Sequence, residues 1–136
     1  MVELLIGKKG NGKTKTLVEK VNTASTVTDG NVVFVCHDMA EIYDIKSTVR
    51  MCETSPFDFK SYNDLLHFIE GIISGNFDIT NIFVDGIFKI IGSSSLDGAY
   101  EFLEALQDLS REYGISFVIS MSIDADEAPD YIKELA

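Results

Sequence analysis

A glycine-rich stretch near the start of the chain carries the residues best suited to chemistry. Gly7, Gly10 and Gly12 occur in it, and Lys13 and Thr14 follow directly. Glycine accepts backbone conformations that other residues avoid, so a loop of this kind can turn its own N–H groups toward an anion. The lysine adds a point charge and the threonine adds a hydroxyl that can ligate a metal ion. This spacing predicts a binding site for phosphate groups.

The pattern on either side of the loop predicts the elements that hold it. Residues 2–6 form an apolar run typical of a buried strand, and Leu17 and Val21 recur at the spacing of a helix. We expect that helix to run from Lys13 to about Asn22, followed by a loop over residues 23–31, which are rich in Ser, Thr, Asp and Gly. A loop that leads into a helix gains the partial positive charge of the helix N-terminus.

Apolar strands and helical segments alternate along the rest of the chain. The predicted strands lie at 31–36, 80–85 and 115–121, with a short edge strand within 47–53. The predicted helices lie at 38–45, 61–74, 96–113 and 130–135. Alternation of this kind indicates a parallel sheet that is covered on both faces. We therefore expect one α/β domain over residues 1–136, built as a three-layer sandwich with a mainly parallel sheet.

Two segments resemble the motifs of a known family. The sequence GKKGNGKT, from Gly7 to Thr14, resembles the Walker A motif of P-loop NTPases, and IFVD, ending at Asp85, resembles their Walker B motif. The chain is similar to a minimal single-domain core of the additional-strand, ATPase branch, which implies the core strand order 1-4-3-2. The resemblance implies that Thr14 and, through water, Asp85 hold Mg²⁺. It also implies an ATP phosphate cradle made of Gly7, Lys8, Lys9, Gly10, Asn11, Gly12, Lys13, Thr14 and Lys15.

The chain departs from the pattern of that branch in two ways. Gly86 stands after Asp85, where the branch commonly has a glutamate that orients water. Arginine, which phosphoryl-transfer enzymes use to stabilise developing charge, occurs only as Arg50 and Arg111. Other carboxylates are candidates for the missing base, although a solvated surface role is the alternative for each. These candidates are Asp38, Glu41, Asp124 and Asp126.

The end of the fourth predicted strand carries a further polar candidate. Ser120 and Ser122 lie where proteins of the ATPase branch place a polar sensor of the γ-phosphate. An ordinary polar strand end is the alternative for both residues.

Composition narrows the partners that we expect. The chain has 22 acidic and 11 basic residues, a formal net charge of -11, and such a surface repels the phosphate backbone of nucleic acids. No segment approaches the roughly 18 apolar residues of a membrane span, and no signal peptide is expected. The two cysteines lack metal-binding or disulfide spacing. We expect a cytoplasmic protein without nucleic-acid or membrane partners.

The leading hypothesis is an ATP-binding protein whose Mg²⁺-dependent hydrolysis is slow or needs a partner. Such a protein would act as a nucleotide-controlled switch on a protein partner or through self-association. A nucleotide-binding module without hydrolysis is the alternative, which Gly86 and the scarcity of arginine favour. A small-molecule kinase is a third hypothesis. It is less favoured because no segment rich in Arg or Lys follows the third predicted strand to form a lid over an acceptor.

Overall fold

The computed structural model of the chain describes residues 1–39 and 44–136. A five-stranded sheet lies at the centre, and every neighbouring pair of its strands is parallel. The strands are β1 (Val2–Ile6), β2 (Asn31–Cys36), β3 (Arg50–Glu53), β4 (Ile79–Asp85) and β5 (Ser116–Met121). The helices are α1 (Lys13–Val27), α2 (Tyr62–Ser74), α3 (Ile87–Ile91), α4 (Ala99–Tyr113) and α5 (Asp130–Lys133). The expected α/β class with a parallel sheet is confirmed.

The strands lie in the order β1-β5-β4-β2-β3. The four strands expected for the core keep the neighbours expected of them, because β1 pairs with β5, β5 with β4 and β4 with β2. The order of the whole sheet nevertheless differs from 1-4-3-2, since β3 pairs with the outer side of β2 and adds a fifth strand there. This added strand is the short edge strand predicted within residues 47–53.

Apolar side chains cover both faces of the sheet. The larger cluster lies under α2, α3 and α4, and the smaller cluster lies under α1. Leu17 and Val21 of α1 are both 0% exposed and belong to the same cluster as Phe34, Phe83 and Val118 from three different strands. This packing fixes α1 against the sheet, and with it the two residues that begin the helix. Of the helices in the described ranges, none is long and apolar enough to cross a membrane.

Three local expectations need correction or comment. The first helix continues to Val27, whereas a loop was predicted from residue 23. The hydroxyls of Ser25 and Thr26 donate to the carbonyl of Asn22 at 2.8 and 3.1 Å, so these residues satisfy helix carbonyls instead of starting a loop. Helix α3 was not predicted, because its five residues are too few to show a helical period. The helix predicted over 38–45 includes residues 40–43, which lie outside the described residues.

Replacing Leu17 with alanine tests the packing of α1. The side chain is 0% exposed, so we expect the variant to lose about 2–5 kcal/mol of unfolding free energy in urea denaturation. Val27→Ala is the matched control, because Val27 lies on the same helix with its side chain 78% exposed. We expect that change to stay within about 0.5 kcal/mol. Equal losses in the two variants would contradict the described position of α1.

Candidate functional site

The carboxyl ends of β1, β5 and β4 bring the candidate residues to one edge of the sheet. The glycine-rich loop leaves β1 after Ile6, which pairs with Met121 of β5. Asp85 is the last residue of β4, and Ser120 lies one residue before the end of β5. In open α/β sheets this carboxyl edge is where ligands bind.

The loop between β1 and α1 has a backbone that only glycine adopts readily. Gly7, Gly10 and Gly12 have positive φ angles of 155°, 84° and 77°. Gly12 is the N-cap of α1, with no side-chain cap and no acidic residue in the first turn. Helix α2 begins differently, since the hydroxyl of Ser61 accepts a hydrogen bond from the N–H of Asp64 at 3.2 Å. The start of α1 therefore offers uncapped N–H groups and the positive end of the helix dipole.

The ammonium group of Lys13 lies over this loop. Its Nζ donates a hydrogen bond to the carbonyl oxygen of Lys8 at 2.8 Å. Burial lowers the pKa of Lys13 from its ordinary value, and the nearby carboxylate of Asp85 offsets part of that shift. The loop thus carries a cation that is partly removed from water, where its attraction for an anion is stronger than at a fully solvated position. Lys9 and Lys15, on either side, are exposed.

Thr14 and Asp85 meet at the end of the loop although they are 71 residues apart in the sequence. The hydroxyl of Thr14 donates to Asp85, with distances of 3.1 Å to Oδ1 and 3.4 Å to Oδ2. A hydroxyl and a carboxylate are oxygen ligands of the kind that Mg²⁺ prefers. Among residues 1–39 and 44–136, no group of three or more His, Cys, Asp or Glu is arranged to hold a metal. A cation at this position would need further oxygens from water or from a bound phosphate.

Ser120 connects the carboxylate to the residue that follows it. Its Oγ donates to Asp85 Oδ1 at 3.1 Å and accepts from the N–H of Gly86 at 2.7 Å. Sequence reasoning placed Ser120 at the carboxyl edge but missed this contact. Nothing in the sequence indicates which way a strand-end hydroxyl points.

The two candidate carboxylates after β5 differ in burial, since Asp124 is half-buried and Asp126 is exposed. Asp124 forms an ion pair with Lys8 at 3.4 Å, and its Oδ1 accepts from the backbone N–H of Asp126 at 3.1 Å. The side chain of Asp126 is exposed. Asp124 therefore ties the segment after β5 to the glycine-rich loop.

Beyond β2, Asp38 forms an ion pair with Lys89 of α3 at 3.3 Å. This contact joins the segment that follows β2 to the helix that follows β4. Glu41, the fourth candidate base, lies outside the described residues. Asp38 is therefore held by an ion pair with α3, and its role as a base stays a prediction.

Gly86 has a backbone that explains why glutamate is absent there. Its φ is +71°, and it is the N-cap of α3 in a left-handed conformation. An added Cβ would have room, since the nearest atom is the Cβ of Lys89 at 3.7 Å. The obstacle to a side chain is therefore backbone strain and not a clash.

Both arginines of the chain lie away from the carboxyl edge. Arg50 begins the edge strand β3 and pairs in register with Val33, near the middle of β2. Arg111 lies in the last turn of α4, shortly before the amino end of β5, and forms an ion pair with Asp108. Neither side chain is placed to reach a ligand on the loop.

Open space adjoins Lys13 on the β1 side of the loop. A cleft of about 310 Å³ lies there, lined by Asn11, Lys13 and Thr16 together with β1 residues and Ala136. A larger cleft of about 440 Å³ lies farther along α1, against Phe83 and Val118. The smaller cleft is the one that borders the candidate site.

Comparison with known proteins adds no family to these observations. Neither a scan against protein-family models nor a search of curated proteins finds a match.

Substitution of Gly86 tests the left-handed turn beside Asp85. We expect Gly86→Ala to lower the free energy of unfolding by about 1–2 kcal/mol, because an L-residue is strained at this φ. Gly71→Ala is the matched control, since Gly71 is exposed within α2 and an added Cβ meets nothing within 4 Å. That change should raise the unfolding free energy by about 0.5–1 kcal/mol. A free energy of unfolding, measured in urea, that is higher than wild type in both variants would contradict the assigned turn.

Proposed function

We propose that the protein binds a nucleoside triphosphate, ATP with Mg²⁺, through the loop 7–12 and the first turn of α1. The observation that carries this proposal is the convergence of three groups at one point. Lys13 lies over the loop, and the Thr14 hydroxyl is 3.1 Å from Asp85 Oδ1 beside it. A cation, a hydroxyl and a carboxylate at the positive end of a helix suit a polyphosphate that carries a divalent cation.

Each of these groups would bind a different part of the ligand. The ammonium of Lys13 would leave the carbonyl of Lys8 for a phosphate oxygen, since a charged acceptor forms the stronger bond. Loop N–H groups would bind the same phosphates. Thr14 would ligate Mg²⁺, and Asp85 would accept hydrogen bonds from water in the shell of the ion. The resemblance of GKKGNGKT and IFVD to the Walker motifs supports the same assignment.

The position of Asp85 favours a nucleotide bound to a metal ion over a metal-free phosphate as the ligand. The carboxylate lies within hydrogen-bond distance of the helix start, so it would repel a bare anion bound there. A divalent cation between the two negative groups turns the repulsion into attraction. Free nucleotide should consequently bind more weakly than its Mg²⁺ complex.

We further propose that hydrolysis by the chain alone is slow. Position 86 is a left-handed glycine, so the carboxylate that commonly orients water in the resembled branch has no counterpart there. Arg50 lies level with the middle of β2 on the outer strand β3, and Arg111 lies near the amino end of β5. An arginine supplied by a partner protein is worth about 10³–10⁵ in rate in small GTPases. The protein thus fits a partner-dependent nucleotide switch, and the same observations favour a binding module without hydrolysis as the second candidate.

Lys13→Ala tests the binding site directly. Hydrogen bonds to charged groups contribute about 1.5–3 kcal/mol, so we expect the ATP dissociation constant to rise about 10- to 150-fold in calorimetric titration. Lys60→Ala is the control, because Lys60 is exposed and forms its ion pair with Asp58, outside the site. Equal ATP affinity in wild type and Lys13→Ala would overturn the assignment of the loop.

Phosphate release separates the two candidate functions. We expect the purified chain to turn over Mg-ATP well below the typical enzyme rate of about 10 per second, with Lys13→Ala as the blank. A rate of phosphate release per chain that rises with protein concentration would identify a second copy as the activating partner. Intact ATP binding without any release would favour the binding module. Turnover at tens per second by dilute chain would contradict the proposal of slow hydrolysis.

A further inference from the structure

We infer that Ser120 is a positioning residue whose buried hydroxyl orients the Asp85 carboxylate toward the hydration shell of nucleotide-bound Mg²⁺. This inference rests on the proposed function. It assigns the residue that makes ATP binding depend on Mg²⁺. Ser120 itself would touch neither the phosphates nor the ion.

The burial of Ser120 sets it apart from a polar strand end. Its exposure is 2%, and Val118, the next residue along the same face of β5, is 5% exposed. A hydroxyl in such surroundings costs about 1–3 kcal/mol unless it is hydrogen-bonded. The hydroxyl of Ser120 forms two bonds, at 3.1 Å to Asp85 Oδ1 and at 2.7 Å from the N–H of Gly86. Both bonds hold the turn that carries the carboxylate.

The hydrogen bonds of Asp85 are unequal between its two oxygens. Oδ1 accepts from Thr14 and from Ser120, each at 3.1 Å. Among the described residues, Oδ2 has only the longer contact of 3.4 Å with Thr14. The Ser120 bond therefore restricts the rotation of the carboxylate and leaves Oδ2 as the oxygen with fewer hydrogen bonds. A carboxylate that binds water of a metal shell needs this kind of fixed orientation.

The same contacts argue against direct contact between Ser120 and a γ-phosphate. The single proton of the hydroxyl is donated to Asp85, and the N–H of Gly86 occupies a lone pair. Without the hydroxyl, Asp85 would keep only its contacts with Thr14, and the Gly86 N–H would lose its partner. Loss of Ser120 should then weaken Mg²⁺ binding more than nucleotide binding.

The experiment measures ATP affinity as a function of Mg²⁺ and again in excess EDTA. Ser120→Ala should raise the Mg²⁺ dissociation constant of the ATP complex by up to about 10-fold, the lower end of the effect of removing a partner of a direct metal ligand, because Asp85 would reach the ion through water. Its ATP affinity in EDTA should stay within about twofold of wild type, because the loop and Lys13 are intact. Ser120→Thr keeps the hydroxyl and should recover most of the Mg²⁺ dependence. Ser116→Ala, on the same face of β5 and half-buried, should match wild type.

Amide hydrogen exchange gives a second readout that needs no nucleotide. The N–H of Gly86 should exchange faster in Ser120→Ala than in wild type, since its acceptor is lost. If Ser120→Ala does not fold, Ser120→Cys provides the same comparison with a weaker donor and acceptor.

The outcomes distinguish the inference from the proposed function. A wild-type chain that binds no ATP overturns both. If the ATP affinity of Ser120→Ala depends on Mg²⁺ as in wild type, while Lys13→Ala still binds ATP weakly, the role of Ser120 alone is overturned. An equal loss of ATP affinity with and without Mg²⁺ also overturns it, because a merely structural role would have that effect.

Discussion

The parallel pairing of β1, β5 and β4 is the constraint on which the candidate site depends. It delivers the glycine-rich loop and Asp85 to one edge, although β5 lies between their strands. Alternate residues of a strand face opposite sides of the sheet, so a slip of one residue would turn Asp85 away from α1. The register is held by apolar residues that face the two clusters, Phe83 and Val118 toward α1, and Ile82 and Val84 toward the other helices. The same strand register is therefore required for core packing and for the geometry of the site.

The site combines two positive groups with a carboxylate, which attract one another but act in opposite directions on a bound anion. Asp85 lies near the positive end of α1 and near Lys13, and the chain as a whole carries a net charge of -11. An anion without a metal is attracted by Lys13 and by the helix N-terminus. It is repelled by Asp85 and by the negative net charge of the chain. In the proposed complex, Mg²⁺ bound to the nucleotide would supply the positive charge that attracts Asp85. Ser120 and Gly86 would orient the carboxylate toward that ion, and the left-handed turn at Gly86 disfavours a glutamate there.

The sequence predicted much of the loop and the order of elements, for identifiable physical reasons. Glycine spacing and an apolar run indicated the strand and loop before Lys13, and the helical period of Leu17 and Val21 indicated α1. The end of α1 was wrong, because Ser and Thr suit loops and also bond helix carbonyls, as Thr26 does. The contacts of Ser120 were not predictable, since they depend on the direction of one hydroxyl between neighbouring strands. The pairing of β3 beyond β2 gave the sheet the strand that the four-strand order lacked.

Backbone amide NMR during titration with Mg-ATP tests the central claim most directly. The proposed cradle consists largely of backbone N–H groups, which side-chain substitutions do not report. The account predicts saturable shifts at Gly10, Gly12, Lys13 and Thr14. It also predicts an unchanged signal at Gly114, which lies near the amino end of β5 at the opposite edge. Saturable shifts centred on Gly114, or a loop that does not respond to Mg-ATP, would contradict it.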